Sequence, residues 1–417
     1  MINLNFNRRD FMKIGGIGAG FSAVGLSDLS AGEDVCLLPN DKSVIWIWLS
    51  GGATQVETFD PKPDAPEGVR AVNGSVMTKG DYLIGGDWVK TAGVGDKITV
   101  VRSFSHGNSS HRTATHWVMT GYNSTDNTPQ SPAYHPSYGS IVSSMYGANN
   151  PINGSPTYVR ANRINFDEGA WLRGNVKPYE ASGEGVKNLQ LNTTQERFLG
   201  KQELLTDLDV LREGVDKGAD SWSDLRGQSY SMLLGKVAEA FDIKKEHPAT
   251  LSTYGKGIGE QLLLARRLVE AGTKFVTINY GGWDMHGNIS QALRGRVPPL
   301  DQALSALISD IYGRNIDKNT LVVVTGEFGR TYKINKNAGR DHWSKLSPLL
   351  LAGGDFEMGR VIGESTSKAE EPKTQPITPQ NVTATLFKHF NIDQHTQKID
   401  PAGRPRYFLE TGTESIL

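Results

Sequence analysis

Long apolar runs recur along the chain, and each run ends in a polar or glycine-rich segment. Strands that are covered on both faces have no solvent-facing positions, so such runs are typical of a mostly parallel sheet. The pattern predicts interior strands at 43–49, 98–102, 274–279 and 320–325. Residues 157–160 and 348–352 have the same character and are predicted as further strands.

Apolar residues at three- and four-residue intervals indicate helices between these strands. They predict helices at 254–271 and 300–312, and a third at 378–389 that begins with a capping Thr-Pro pair. This alternation predicts an α/β fold, a mostly parallel doubly wound sheet with helices on both faces. Residues 59–96 and 160–230 are polar and rich in glycine, and we predict that they are loop insertions over the sheet.

The charge balance and the cysteine count exclude several classes of function. The 417 residues include 44 Lys and Arg against 45 Asp and Glu, so the net charge is −1. A chain without an overall basic field is not expected to bind nucleic acid. Cys36 is the only cysteine, which excludes an intramolecular disulfide and a thiolate zinc cluster. Any metal ion would therefore be bound by His, Asp or Glu.

The first 31 residues have the layout of an export signal. Arg8 and Arg9 precede Asp-Phe-Met-Lys, a short apolar run follows, and small residues end the segment at Ala31. This layout is typical of a twin-arginine signal, and the run is too short to span a bilayer. We expect a protein exported to the periplasm or the cell surface, with no stable membrane insertion. The alternative is an ordinary amphipathic N-terminal helix.

Polar side chains follow the predicted strands, where the carboxyl ends of parallel strands share one edge of a sheet. They lie in the segments 50–60, 106–116, 281–288, 326–331 and 339–343. Asp284 and His286 lie two residues apart, and Asp341 is followed by His342. Carboxylates and imidazoles from several loops are ligands for a divalent metal ion.

Each candidate also has a purely structural interpretation. Asp284 and His286 suit a turn, because Asp favours turns. Glu327 suits either a cap on the segment that follows the strand or an ion pair with Arg330 that braces the loops. His116 precedes Trp117 and Val118 and is interpreted as part of a helix core.

Six blocks of sequence resemble one known family. They include Gly-Trp-Asp-Met-His-Gly at 282–287 and Gly-Arg-Asp-His-Trp at 339–343. The other blocks lie at 50–63, 135–140, 326–331 and 376–381. In this order they resemble the exported bacterial family called domain of unknown function 1501, over residues 40–412 as one domain. That family looks like a branch of the alkaline phosphatase and sulfatase superfamily, whose members bind one or two divalent metals and hydrolyse phosphate or sulfate esters.

The resemblance implies roles for particular residues. The implied ligands of a zinc, calcium or magnesium ion are Asp284, His286, Glu327, Asp341 and His342. The position of the superfamily's nucleophile falls on His111, with Ser110 adjacent. Either Ser110 serves through a shift of register, or His111 is itself the nucleophile or a ligand, or covalent catalysis is lost. Arg112 or Arg330 would hold the substrate anion. The metal-binding Asp that the superfamily has after the first strand is replaced here by Ser50-Gly51-Gly52.

Two functional hypotheses remain from the sequence. The first is a metal-dependent hydrolase of a phosphate or sulfate ester, carried by a small molecule or a polysaccharide. The second is a non-catalytic descendant that keeps the fold to bind an exported glycan or a partner protein. The retained acids and histidines favour the first, and the changes at Ser50–Gly52 and His111 favour the second.

Overall fold

One large sheet forms the centre of the chain in the computed structural model, which describes residues 41–124, 126, 132–181 and 237–417. The strands of this sheet are β1 (Ser43–Trp48), β4 (Ile98–Val101), β5 (Tyr158–Ala161), β6 (Tyr179–Glu180), β7 (Phe275–Asn279), β8 (Thr320–Thr325), β11 (Leu349–Gly353) and β12 (Arg360–Ile362). Their order across the sheet is β12-β4-β11-β8-β1-β7-β5-β6. The predicted strands are therefore present, and the four predicted as interior strands are interior.

The sheet is mostly parallel, as predicted, with one exception. Strand β1 pairs in parallel with β7 and β8, and β12 pairs in parallel with β4. Strand β11, predicted only from its apolar run at 348–352, pairs antiparallel with both β4 and β8. An apolar run reads the same in either direction, so the sequence pattern did not reveal this reversal.

Among the described residues, three two-stranded pairs lie outside the large sheet. They are β2 (Ser75–Met77) with β3 (Leu83–Gly85), β9 (Gly329–Arg330) with β10 (His342–Trp343), and β13 (Gln397–Ile399) with β14 (Pro405–Tyr407). The β9–β10 pair sets Arg330 opposite His342 and thereby fixes two candidate site residues next to each other.

The helices cover both faces of the sheet. They are α1 (Val89–Ala92), α2 (His111–Thr120), α3 (Tyr138–Tyr146), α4 (Val237–Phe241), α5 (Pro248–Tyr254), α6 (Ile258–Glu270), α7 (Ile289–Gly313) and α8 (Pro379–Phe390). One buried cluster joins Ile45 and Ile47 of β1 to α6 and α7. A second joins Trp46 and Trp48 to α2, α3 and α8. Successive side chains of a strand point to opposite faces, so one strand supplies both cores and the sheet is doubly wound.

Two helices differ from the predicted ranges. The pattern at 254–271 is divided into α5 and α6, because Gly255 and Gly257 have φ angles of +80° and +65°, outside the helical range. The helix predicted at 300–312 begins earlier, at Ile289, and contains Pro298 and Pro299.

The predicted insertion at 59–96 is an irregular segment that carries the β2–β3 pair and the short helix α1. Part of the predicted insertion at 160–230 and the whole export segment at 1–31 lie outside the described residues. Across the described ranges, no helix has both the length and the apolar character that a membrane span requires.

Candidate metal centre

The candidate site lies at the carboxyl ends of three neighbouring parallel strands. Gly51 follows β1, Asp284 follows β7 and Glu327 follows β8, and β1 lies between the other two strands. Gly51 has a φ of +110°, and a Cβ there would lie 2.5 Å from the backbone nitrogen of Asp284. This glycine therefore lets the loops after β1 and β7 come into direct contact.

Three side chains meet at the centre of the site. The Nε2 atom of His286 lies 3.0 Å from Oδ1 of Asp284 and 3.0 Å from Nε2 of His342. The Nε2 atom of His342 lies 3.2 Å from the same Asp284 oxygen. These atoms come from the loop after β7 and from β10, which are far apart in sequence.

A fourth side chain approaches from α2. His111 is the first residue of that helix, and its Nε2 atom lies 3.4 Å from Oδ2 of Asp284. Its Nδ1 atom lies 2.8 Å from Oε1 of Glu327, which also accepts a 2.8 Å hydrogen bond from the backbone of Gly51. One ligand atom from each of His111, Asp284 and His342 lies within 4.8 Å of the other two.

Each of the three imidazoles is oriented by an acceptor at Nδ1. The acceptors are the carboxylate of Glu327 for His111, the carboxylate of Asp341 for His286 at 2.8 Å, and the backbone oxygen of Ser109 for His342 at 3.0 Å. When Nδ1 donates its proton to such an acceptor, the lone pair is left on Nε2. In that tautomer, the Nε2 lone pairs of all three imidazoles are directed toward Asp284.

This arrangement fits a bound cation. Two imidazole nitrogens and a carboxylate oxygen at 3.0–3.2 Å repel each other unless a proton or a cation lies between them. Ligands at about 2.0–2.1 Å from a tetrahedral zinc ion lie roughly 3.3 Å from each other, close to these separations. Oε2 of Glu327 is also buried, with no hydrogen-bond partner among the described residues.

Charge and burial set the protonation of the cluster. Burial raises the pKa of Asp284, but the hydrogen bond and charge of Arg330 outweigh it and lower the pKa to about 2. The hydrogen bond to Glu327 raises the pKa of His111. Burial, together with the charge of Arg330, lowers the pKa of His342. At neutral pH, the cluster therefore combines an ionised carboxylate with a His342 that favours its neutral form.

Arg330 does not present a free fork to a substrate anion. Its side chain is fully buried and donates to the backbone oxygens of Gly51, Gly52 and Arg340. A further N–H donates to Oδ1 of Asp284, and Nη1 lies 3.4 Å from Nε2 of His286. The N–H groups of Arg330 therefore all have partners within the protein, and its role in holding the anion stays a prediction that would require one of these contacts to be exchanged.

Arg340 pairs with a carboxylate away from the cluster. Its Nη2 and Nε atoms lie 2.9 and 3.1 Å from Oε1 of Glu57, and both side chains are buried. Glu57 in turn accepts a hydrogen bond from the backbone of Val72. The pair joins the loop after β1 to the loop before β10 and so fixes the two loops relative to each other.

Ser110 and Arg112 flank His111 but have different positions. Ser110 is the N-cap residue of α2, and its backbone N–H donates to Oδ1 of Asn108 at 3.1 Å. Arg112 lies over the ring of Phe166, with Cζ 4.6 Å from the ring centroid. Because one residue along a helix turns the side chain by about 100°, neither neighbour shares the direction of His111.

Two other histidines have structural roles. His116 is buried, with Nδ1 2.9 Å from the oxygen of Tyr122, and Nε2 accepts from the backbone of Tyr134. This agrees with its interpretation as a core residue. Burial lowers the pKa of His106 to about 4, and its Nε2 atom lies 2.6 Å from the backbone oxygen of Glu327.

Sequence reasoning missed three contributors to the site. The backbone of Ser109 orients His342, and Gly51 holds Glu327. The ring of Phe328 packs against both His111 and His342, with centroid distances of 4.9 and 4.5 Å, while the two imidazoles contact each other at 4.4 Å. A backbone oxygen has no sequence signature, but the Gly pair after β1 was a signal of close backbone approach.

The comparisons with known proteins identify the family. The sequence model described as "Protein of unknown function (DUF1501)" matches residues 41–415. The chain belongs to this family. No curated protein matches its sequence.

Several solved structures are similar to this chain. An alkaline phosphatase from the Antarctic bacterium TAB5 is 13% identical, with a TM-score of 0.37 over 86% of this chain and 100% of that chain. The PsFucS1 sulfatase from Pseudoalteromonas sp. is 12% identical, with a TM-score of 0.35 over 84% and 68%. The lipoteichoic acid synthase LtaP from Listeria monocytogenes is 11% identical, with a TM-score of 0.34 over 90% and 74%.

Proposed function

We propose that this family member is a metal-dependent hydrolase of phosphate or sulfate esters. The observation that carries the proposal is the common direction of three Nε2 atoms. Each imidazole is held through Nδ1 by a carboxylate or a backbone oxygen, and each presents Nε2 to the carboxylate of Asp284. Orientation of this kind is the usual arrangement behind metal-binding histidines.

Asp284, His286 and His342 would hold the ion, since their ligand atoms are the ones at 3.0–3.2 Å from each other. Two imidazoles and one carboxylate favour zinc or a similar transition metal over calcium or magnesium, which prefer oxygen ligands. The bound ion would supply a Lewis acid for the oxygens of the phosphoryl or sulfuryl group. Asp341 orients His286 and is assigned as a supporting residue rather than a ligand.

His111 would act as a proton donor beside the metal centre. Its carboxylate partner Glu327 raises its pKa, so His111 holds a proton more readily at neutral pH than an isolated imidazole. The half-exposed ring keeps Nε2 on the side of Asp284. In the imidazolium form, stabilised by Glu327, His111 would donate its Nε2 proton to the oxygen of the departing alcohol, while a solvent water would attack the phosphorus or sulfur atom and lose a proton to solvent.

The test combines metal content with turnover. The purified full chain is loaded with zinc, its metal is measured by elemental analysis, and hydrolysis of aryl phosphate, phosphodiester and sulfate substrates is assayed. We expect about one zinc per chain and loss of both metal and turnover in His342→Ala. The matched control is His395→Ala, because His395 is exposed and lies outside the cluster. Absence of metal, or turnover that survives His342→Ala, would contradict the proposal.

A second candidate is binding without catalysis. The fully buried Arg330 already pairs with Asp284, which is what a cluster retained only for bracing would need. Such a protein would bind a sulfated or phosphorylated glycan without cleaving it. Glycan binding that is unaffected by zinc and by His342→Ala, with no turnover of any ester, would favour this function.

We also propose that residues 1–31 direct export through a twin-arginine signal. The proposal rests on Arg8, Arg9 and the apolar run that follows them. The double variant Arg8→Lys, Arg9→Lys should remain in the cytoplasm when cells are fractionated, while the single variant Lys13→Arg should be exported normally. Export of the double variant would contradict the signal.

A further inference from the structure

Two clefts adjoin each other at the carboxyl ends of β4 and β12. We name the cleft lined by Asp81 and Leu83 the outer cleft, with a volume of about 350 Å³, and the cleft lined by Glu364 and Thr374 the inner cleft, with a volume of about 490 Å³. Lys62 and Arg102 line both clefts. Each cleft is within the size range of pockets that bind small molecules.

Arg102 is held in one orientation by backbone oxygens. Its Nε atom donates to Phe59 at 3.0 Å and its Nη2 atom donates to Leu83 at 2.6 Å. No acceptor for Nη1 is present in the part of the chain that the structure describes. The two N–H groups of Nη1 therefore remain available on a guanidinium whose plane is already fixed, and little side-chain entropy would be lost when they bind a ligand.

Lys62 brings a second positive charge to the same place. Its ammonium lies 3.1 Å from Oδ1 of Asp60, and Arg102 lies 3.3 Å from that oxygen. Lys62 has a φ of +47°, a backbone conformation that is uncommon for a residue other than glycine. Strained conformations of this kind cluster at functional sites.

The charges around Lys62, Arg102 and Asp60 favour a ligand with a single negative charge. Two cations and the buried Asp60 leave one positive charge between the clefts. Glu364, on the wall of the inner cleft, is neutralised by Lys373 at 2.8 Å. Asp81 lines only the outer cleft, where its negative charge opposes the binding of an anion, and that of a doubly charged anion more strongly.

We propose that the Lys62–Arg102 clefts bind a small organic anion that carries one carboxylate or one sulfate ester group. The oxyanion accepts hydrogen bonds from Nη1 of Arg102 and from the ammonium of Lys62. The body of the ligand lies against Pro61, Met77 and Leu83 on one side, or against Ser365 and Thr374 on the other. This site shares no residue with the metal centre, and it stands independently of the proposed hydrolase activity.

The test measures the binding of defined probes to the full chain by isothermal titration calorimetry. The probes are glucuronate, glucose 6-sulfate and uncharged glucose. We expect one of the charged probes, or both, to bind, and glucose to bind at least tenfold more weakly, since a charged hydrogen bond contributes more than a neutral one. Glucuronate alone identifies a carboxylate ligand, and glucose 6-sulfate alone identifies a sulfate ester.

Two variants connect the binding to the clefts. Lys62→Asn keeps a residue that tolerates positive φ and should weaken the charged probe at least tenfold, whereas Lys62→Arg should retain it within about threefold. Lys256→Asn removes the same charge from an exposed loop and should have no effect. His342→Ala should also leave the affinity unchanged, which separates this site from the metal centre. Equal binding of glucose, absence of binding, or full affinity in Lys62→Asn would overturn the proposal.

Discussion

The Nε2 atoms of His286 and His342 face each other at 3.0 Å, although His286 lies in the loop after β7 and His342 in β10. Both rings have their Nδ1 atoms fixed by other acceptors, so neither ring can turn to avoid the other without losing a hydrogen bond. Arg330 donates to Asp284 and lies beside His286, so it offsets part of the repulsion among these nitrogens and the carboxylate, and a bound cation would offset the rest. Proteins keep such clusters where a cation compensates the repulsion.

We therefore predict that zinc stabilises the folded chain. An ion that binds only the native state adds about 2.7 kcal/mol to the free energy of unfolding when its concentration is 100 times Kd. Thermal unfolding of the chelator-treated chain, with and without zinc, measures this difference. The stabilisation should disappear in His286→Ala and persist in His395→Ala. A zinc-dependent shift of the same size in His286→Ala would show that the metal binds elsewhere.

A second prediction concerns the carboxylate behind His286. Asp341 accepts the Nδ1 proton of His286 at 2.8 Å and is itself held by Nδ2 of Asn335 at 3.1 Å. Removal of such a supporting carboxylate weakens metal binding by about 10- to 100-fold. Zinc competition titrations on Asp341→Asn should show this loss, with the stoichiometry kept at that of the wild type. Complete loss of the ion would instead assign Asp341 as a direct ligand.

The control for this prediction is Asp393→Asn, which removes an exposed carboxylate outside the site. Its zinc affinity should equal that of the wild type. Equal losses in both variants would indicate a general effect of charge rather than the contact with His286.

The sequence predicted the strands that position the site better than it predicted the side-chain contacts within the site. The runs at 43–49, 274–279 and 320–325 indicated buried parallel strands. The expectation that the polar segments after these strands share one edge of the sheet followed from that alone. The partner of Arg340 could not be predicted in the same way. Glu57 lies 283 positions away, and its carboxylate could as well have faced solvent. Arg330 illustrates the same limit, because its acceptors are backbone oxygens that carry no sequence signal.

The Glu57–Arg340 pair supports the third prediction, on stability. The exposed fractions of the two side chains are 1% and 0%, so removal of either partner leaves a buried charge without compensation. Arg340→Met should lower the free energy of unfolding by about 3–5 kcal/mol. Urea unfolding at neutral pH measures the change.

Arg360→Met is the matched control, because Arg360 pairs with Glu357 in an exposed salt bridge. Surface pairs contribute about 0–1 kcal/mol, so this variant should remain close to the wild type. The double variant Glu57→Met, Arg340→Met should be less destabilised than the sum of the two single variants. Additive losses would mean that the two residues act on the fold separately.

The last prediction concerns acid stability and a histidine far from the metal centre. His389 in α8 is buried, and its Nε2 atom lies 2.9 Å from the backbone oxygen of Ser43. Burial, together with the charge of Lys42, lowers the pKa of His389 from 6.5 to about 4. The folded chain thus favours neutral His389, whereas the unfolded chain protonates it more readily. This contribution to stability is complete above pH 6.5 and is lost as the pH falls toward 4. The loss at pH 4 is about 3 kcal/mol, since one pKa unit corresponds to about 1.4 kcal/mol.

His389→Gln removes the titrating group and keeps an N–H that can donate to Ser43. The variant should be less stable than the wild type at pH 7, because the amide fits the site of the ring less well. Between pH 6.5 and 4 its free energy of unfolding should fall less steeply, and the two curves should converge as acid is added. Urea unfolding at half-unit steps of pH measures both slopes, with His395→Gln as the exposed control that keeps the wild-type slope. Parallel curves for His389→Gln and the wild type would show that His389 takes up no proton on unfolding. The acid sensitivity would then have to arise from other buried groups. One such group is His106, because burial lowers its pKa to about 4 as well.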